Sequence, residues 1–139
     1  MPKDILTMVD DGDENSPHVN HGIELARENG ATIHGIYVID AWRFGEYTVH
    51  GWDELVRETH EDESNEIFTK IEEKCEANGV DFEWMTTTGK PVNTIIDYTR
   101  NNDIGRIICS EPRGHGGNLH SPKMIERLKT EANVSVECI

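Results

Sequence analysis

A chain of 139 residues can bury one ordinary hydrophobic core and is too short for two domains of usual size, so residues 1–139 read as a single domain. Its 13 Lys and Arg stand against 27 Asp and Glu, a formal charge of −14, and the mean hydropathy is −0.62. A surface this negative repels phosphate backbones and anionic lipid heads, and no basic cluster in the sequence offsets it, which argues against general nucleic-acid or membrane-surface binding.

The acid surplus fits capture of cations or basic partners, or a heavily hydrated surface suited to concentrated salt, where screening over a few ångströms removes self-repulsion. Apolar runs such as Ile104-Gly105-Arg106-Ile107-Ile108 recur along the chain, unlike a disordered acidic tail. The cysteines, Cys75, Cys109 and Cys138, are odd in number and form no C-x-x-C pair, so neither a disulfide framework nor a zinc site is indicated. With no long hydrophobic stretch and no signal-like segment, a reducing cytoplasm is the expected location.

Ile5 to Val9 is a brief apolar run ended by Asp10-Asp11-Gly12-Asp13, the pattern of a buried strand stopping in a polar loop. Ser16 can cap a helix and Pro17 suits its first position; Val19, Ile23 and Ala26 recur at helical spacing until Gly30. Ala31 to Ile39, rich in β-branched residues, predicts a second strand ending at Asp40. Ala41 to Gly51 reads as a loop, and Trp52 to Asn78 as a long helix with apolar patches at Trp52, Leu55 and Val56 and at Ile67, Phe68, Ile71 and Cys75. Between Asp53 and Glu76 it carries ten acidic and three basic residues, half of the chain's net charge, which reads as a solvated face.

Gly79 ends that helix and Val80 to Thr88 predicts a third strand. Pro91 opens a helix with Val92, Ile95, Ile96 and Thr99 as its buried stripe, and Ile104 to Cys109 predicts a fully buried fourth strand. A glycine-rich loop follows. Ser121-Pro122 then starts a last helix with Ile125, Leu128 and Ala132 inward, before a fifth strand at Val134 to Ile139. Five strands alternating with four helices predict an α/β fold: one doubly wound open sheet of five parallel strands with helices on both faces. Ligands in such sheets sit beyond the carboxyl ends of the strands where the winding reverses, here near Asp10 to Asp13, Val38 to Asp40 and Glu111 to Ser121.

Three stretches, taken in order, resemble the universal stress protein family. Ile5 to Ser16 is similar to its opening strand and Asp-Gly-Ser turn, Ile23 to Asp40 to its first helix and second strand, and Gly89-Lys90-Pro91-Val92-Asn93-Thr94-Ile95-Ile96 to its third crossover. The resemblance implies strand order 3-2-1-4-5, an adenine nucleotide site and a homodimer paired through the last strand, Val134 to Ile139. It implies ligand contacts from Asp10 or Asp11, from the Val38 backbone, and from Arg113, Gly114, Gly116, Gly117 and Ser121, with magnesium only alongside a nucleotide.

The family's phosphate motif is Gly-x-x-Gly, a nine-residue spacer, then Gly-Ser or Gly-Thr. Here only Asn118, Leu119 and His120 separate Gly114-His115-Gly116-Gly117 from Ser121, and Pro122 follows. Phosphates are held by backbone N–H groups converging in a glycine nest and at a helix N-terminus, and a proline removes one of them. The loop therefore reads either as a small anion site or as a tight surface turn. Asp10 and Asp11 read either as ligand contacts or as groups closing the strand end.

His18 and His21 lie three apart without a third metal ligand and read as solvated histidines, and Cys109 and Cys138 read as small buried hydrophobes. No nucleophile elbow or Walker sequence is present, so binding rather than catalysis is expected, with weak or absent ATP affinity. The competing reading is an ATP-binding protein with an adapted phosphate loop and slow ATPase activity. A phosphorylatable receiver domain is disfavoured because Trp84-Met85-Thr86-Thr87-Thr88 supplies no aspartate at the end of the third strand.

Overall fold

The computed structural model describes residues 3–10, 12–40, 52–110 and 122–139. Strands β1 (Asp4–Met8), β2 (Ile33–Asp40), β3 (Phe82–Gly89), β4 (Ile104–Cys109) and β5 (Ser135–Cys138) alternate with helices α1 (Pro17–Asn29), α2 (Trp52–Ala77), α3 (Pro91–Asn101) and α4 (Pro122–Glu131). All pairings are parallel, in the order β3-β2-β1-β4-β5. This is the α/β architecture and strand order expected from the sequence.

The period-two alternation of the strands splits the core into two layers. Ile5 of β1 and Val9 just beyond it face α1 and α2, where they join Val19, Ile23, Ala26, Phe68, Ile71 and Cys75. Leu6 and Met8 face the other way, toward Val92, Ile95 and Ile96 of α3 and Ile125 and Leu128 of α4. The first two crossovers thus cover one face and the last two the other. The winding reverses between β1 and β4.

The helix boundaries follow local chemistry. Gly30 and Gly79 end α1 and α2 with φ of +64° and +67°, a conformation that glycine adopts without the cost a Cβ would impose. Among the described residues of α2, Glu61, Asp62, Glu63, Glu66, Glu72, Glu73 and Glu76 are all exposed, so its charge is a solvated face. Its polar middle is still anchored: fully buried Ser64 donates to the Glu61 carbonyl (2.9 Å) and lies 2.8 Å from the Thr86 hydroxyl of β3. Trp84, 41 % exposed on the edge strand β3, stacks on Phe68 at 5.0 Å between ring centroids.

Candidate functional site

The reversal point lies at the carboxyl ends of β1 and β4, with β2 alongside. Met8 pairs with Ile36, and continuing that register carries Asp10 to the level of Val38. Asp10 is half-buried just beyond β1; Val38 is half-buried in β2 and packs on the α3 and α4 layer. Asp11, Arg113, Gly114, Gly116, Gly117 and Ser121 lie outside the described residues.

Among the described acids of this turn, Asp13 is the one whose side chain closes the strand end. Gly12, at φ +80°, turns the chain back so that the Asp13 side chain, 1 % exposed, comes under the strand end. Its Oδ2 accepts the Asp10 N–H at 2.8 Å and its Oδ1 accepts the Ser16 hydroxyl at 2.8 Å. The Asp13 N–H donates to the Asp10 carbonyl at 3.1 Å, and the Ser16 N–H to the Asp13 carbonyl at 3.0 Å. Ser16 does occupy the N-cap position of α1, but its side chain donates to Asp13 and makes no cap bond to the helix.

His18 corrects the expectation of solvated histidines. It is fully buried, and its Nε2–H donates to the Met8 carbonyl at 2.8 Å, since a carbonyl can only accept. The same nitrogen stands 3.6 Å from Asp13 Oδ2. His21 instead turns to Glu137 of β5 at 3.4 Å, so the two histidines do not share a ligand. Among the described residues no group of three or more His, Cys, Asp or Glu is placed to hold a metal ion.

Beside this turn, Gly12, Glu14, Glu63, Glu66, Ile67 and Lys70 line an open recess of about 310 Å³. Lys70 Nζ stands 3.8 Å from Glu14 Oε1. Lys74 is engaged too, donating to the Glu14 carbonyl (2.7 Å) and to Asn20 Oδ1 (3.2 Å). The described side of the crevice is thus rich in carboxylate, and its lysines bind the protein's own oxygens. A nucleoside's uncharged hydroxyl and amino groups suit such acceptors; a triphosphate would bring up to four negative charges to them.

At the opposite end of the sheet the sequence reading missed another buried polar group. His34 is 2 % exposed, with Nε2 2.8 Å from Asp4 Oδ2 and Nδ1 2.7 Å from the Tyr98 hydroxyl. Burial, with the Glu83 and Asp4 carboxylates nearby, pushes the Tyr98 phenol above its ordinary value, which keeps it protonated in this hydrogen bond. The group ties β1, β2 and α3 together. The only sequence sign of it is a histidine in an otherwise apolar strand.

The strand order and helix layers define a doubly wound α/β protein whose winding reverses between β1 and β4, the place where sheets of this kind take their ligands. The sequence profile described as the Universal stress protein family matches residues 1–136, and the chain belongs to that family. It is 27 % identical over 106 residues to universal stress protein MJ0531 of Methanocaldococcus jannaschii, a match spanning 76 % of this chain and 62 % of that relative. Among solved structures it resembles a universal stress family protein from Burkholderia pseudomallei at 16 % identity, covering 99 % and 95 % of the two chains with a TM-score of 0.78. It also resembles the universal stress protein of Archaeoglobus fulgidus in complex with dAMP, at 18 % identity, 99 % and 98 % coverage and a TM-score of 0.70.

Replacing Asp13 by Ala strands the Asp10 N–H and the Ser16 hydroxyl and removes a buried carboxylate beside His18. The expected cost is about 2–4 kcal/mol, against about 1–2 kcal/mol for Asp13→Asn, which keeps one acceptor oxygen. Urea denaturation should show it as a lower midpoint at unchanged slope.

Proposed function

We propose that this protein is a stress-response regulator of the universal stress type that works by binding, as a homodimer in a salt-rich cytoplasm, with weak or absent ATP affinity. Its 139 residues act as one domain. The observation that carries the ligand reading is the Asp10 N–H: this amide at the mouth of the crevice is already donated to Asp13, so it is withdrawn from any phosphate. The recess lined by Glu14, Glu63 and Glu66 adds like-charge repulsion, and the short loop from Gly114 to Ser121 with Pro122 behind it offers fewer amides than the family motif.

An adenine nucleotide is still the ligand class that suits the site, because the Archaeoglobus fulgidus relative is described in complex with dAMP. On this reading Asp10 and the Val38 backbone contact the nucleoside, while Arg113, Gly114, Gly116, Gly117 and Ser121 meet the phosphate. The carboxylates make the ligand of lowest charge the favoured one, so affinity falls from adenosine to AMP to ATP. Magnesium contributes only when a nucleotide is present.

Dimerisation is assigned to β5, an edge strand whose outer side has no neighbour among the described residues. Val136 and Ile139 are half-buried there and give a partner apolar contact beside Glu137.

Two measurements test this reading. Isothermal titration calorimetry in high salt should place ATP, with or without magnesium, at a Kd weaker than about 1 mM, and adenosine or AMP tighter than ATP. Tight magnesium-dependent ATP binding contradicts it. Light scattering at micromolar concentration in high salt should report twice the mass of the chain, and a monomer would remove the dimer from the proposal.

A further inference from the structure

A second site lies between the last two strands of the sheet, at their carboxyl ends. Cys109 ends β4 and Cys138 ends β5, and the parallel register places them directly opposite each other. Their sulfurs are 3.3 Å apart. Neighbouring strands run about 4.8 Å apart, within the Cα separation of about 4.4–6.8 Å that a disulfide spans, so side-chain rotation suffices to bond the pair. Both side chains belong to the α3 and α4 layer, Cys109 fully buried and Cys138 half-buried. Cys138 is thus the less enclosed of the two.

The geometry points to Cys109 and Cys138 as a redox-modified dithiol that a hydroperoxide closes into a disulfide joining β4 to β5. The Cys138 thiolate attacks the peroxide: an S–O bond forms, the O–O bond breaks, and hydroxide leaves to take up a proton as water. The Cys109 sulfur then attacks the Cys138 sulfenic acid. The S–S bond forms, the S–O bond breaks, and the departing hydroxide takes the Cys109 proton to leave as a second water. Two thiols lose two electrons and two protons, and one hydrogen peroxide becomes two waters.

Surrounding groups fit these roles. The Cys109 thiol is held by the Glu137 carbonyl at 3.5 Å, and burial and the neighbouring Cys138 push it well above the ordinary range, so it stays protonated until a sulfenic acid forms beside it. The Ile139 N–H donates to the Cys109 carbonyl at 2.9 Å, fixing the last residues against β4. Cys75 is an internal control. It is fully buried under α2, and burial pushes its thiol up to about 11, so it is neither near the pair nor reactive.

The test is hydrogen peroxide added to the full chain in its native buffer, with circular dichroism to confirm that it stays folded. It is followed by thiol titration after unfolding, intact mass and non-reducing peptide mapping. The expected result is a fall from three titratable thiols to one, a mass lower by two hydrogens, a crosslinked peptide pair joining Cys109 to Cys138, and recovery of all three thiols with dithiothreitol. Cys138→Ser, a change at the half-buried position, should keep both remaining thiols free under the same treatment. Three thiols left intact, Cys138 carried on to sulfinic acid with Cys109 unmodified, or a bond formed only between chains would each overturn the assignment.

Discussion

The turn between β1 and α1 depends on one buried carboxylate. Asp13 closes the strand end by accepting the Asp10 N–H and the Ser16 hydroxyl, and it stands beside His18, which is itself bonded to the Met8 carbonyl. A carboxylate removed from water is costly unless several donors hold it, and the chain supplies them within a few residues. Gly12 makes this possible, because a φ of +80° is the turn that brings Asp13 back under the strand. Helix α1 is thereby fixed to the sheet at the point where a ligand would approach. The same interaction that orders the turn occupies the Asp10 N–H.

Fold and charge pull in different directions at this point. A doubly wound sheet offers its strand ends and helix N-termini to anions as a consequence of topology. Here α1 begins with Pro17, which has no N–H to offer, and Asp10, Asp13, Glu14, Glu63 and Glu66 stand near the opening. Lys70 and Lys74 tie the turn to α2 through Glu14 and Asn20, so they stabilise the wall of the crevice instead of recruiting phosphate. Repulsion among the exposed carboxylates of α2 is weakened by screening as salt rises.

The sheet was legible in the sequence because its signals are periodic. Val19, Ile23 and Ala26, or Val92, Ile95, Ile96 and Thr99, mark one face of a helix by spacing alone, and every one of them is buried. Gly30 and Gly79 announce the helix ends through a conformation few other residues take. The site was less legible because its chemistry is not periodic. Four acids stand in the five residues from Asp10 to Glu14, and nothing in their spacing marks Asp13 as one that the turn at Gly12 buries. His18, His34 and Ser64 count as polar in any hydropathy pattern, yet each is buried because a specific partner satisfies it. The Cys109 and Cys138 pair likewise emerges only from the β4–β5 register, since their separation in sequence carries no motif.

Native mass spectrometry of the protein as purified from cells addresses the central claim, that Asp13 and its acidic surroundings deprive the crevice of phosphate affinity. The spectrum should show the chain without bound ATP. Stoichiometric ATP carried through purification would mean that the amides of the loop from Gly114 to Ser121 outweigh both the occupied Asp10 N–H and the surrounding carboxylates, and the claim would fail.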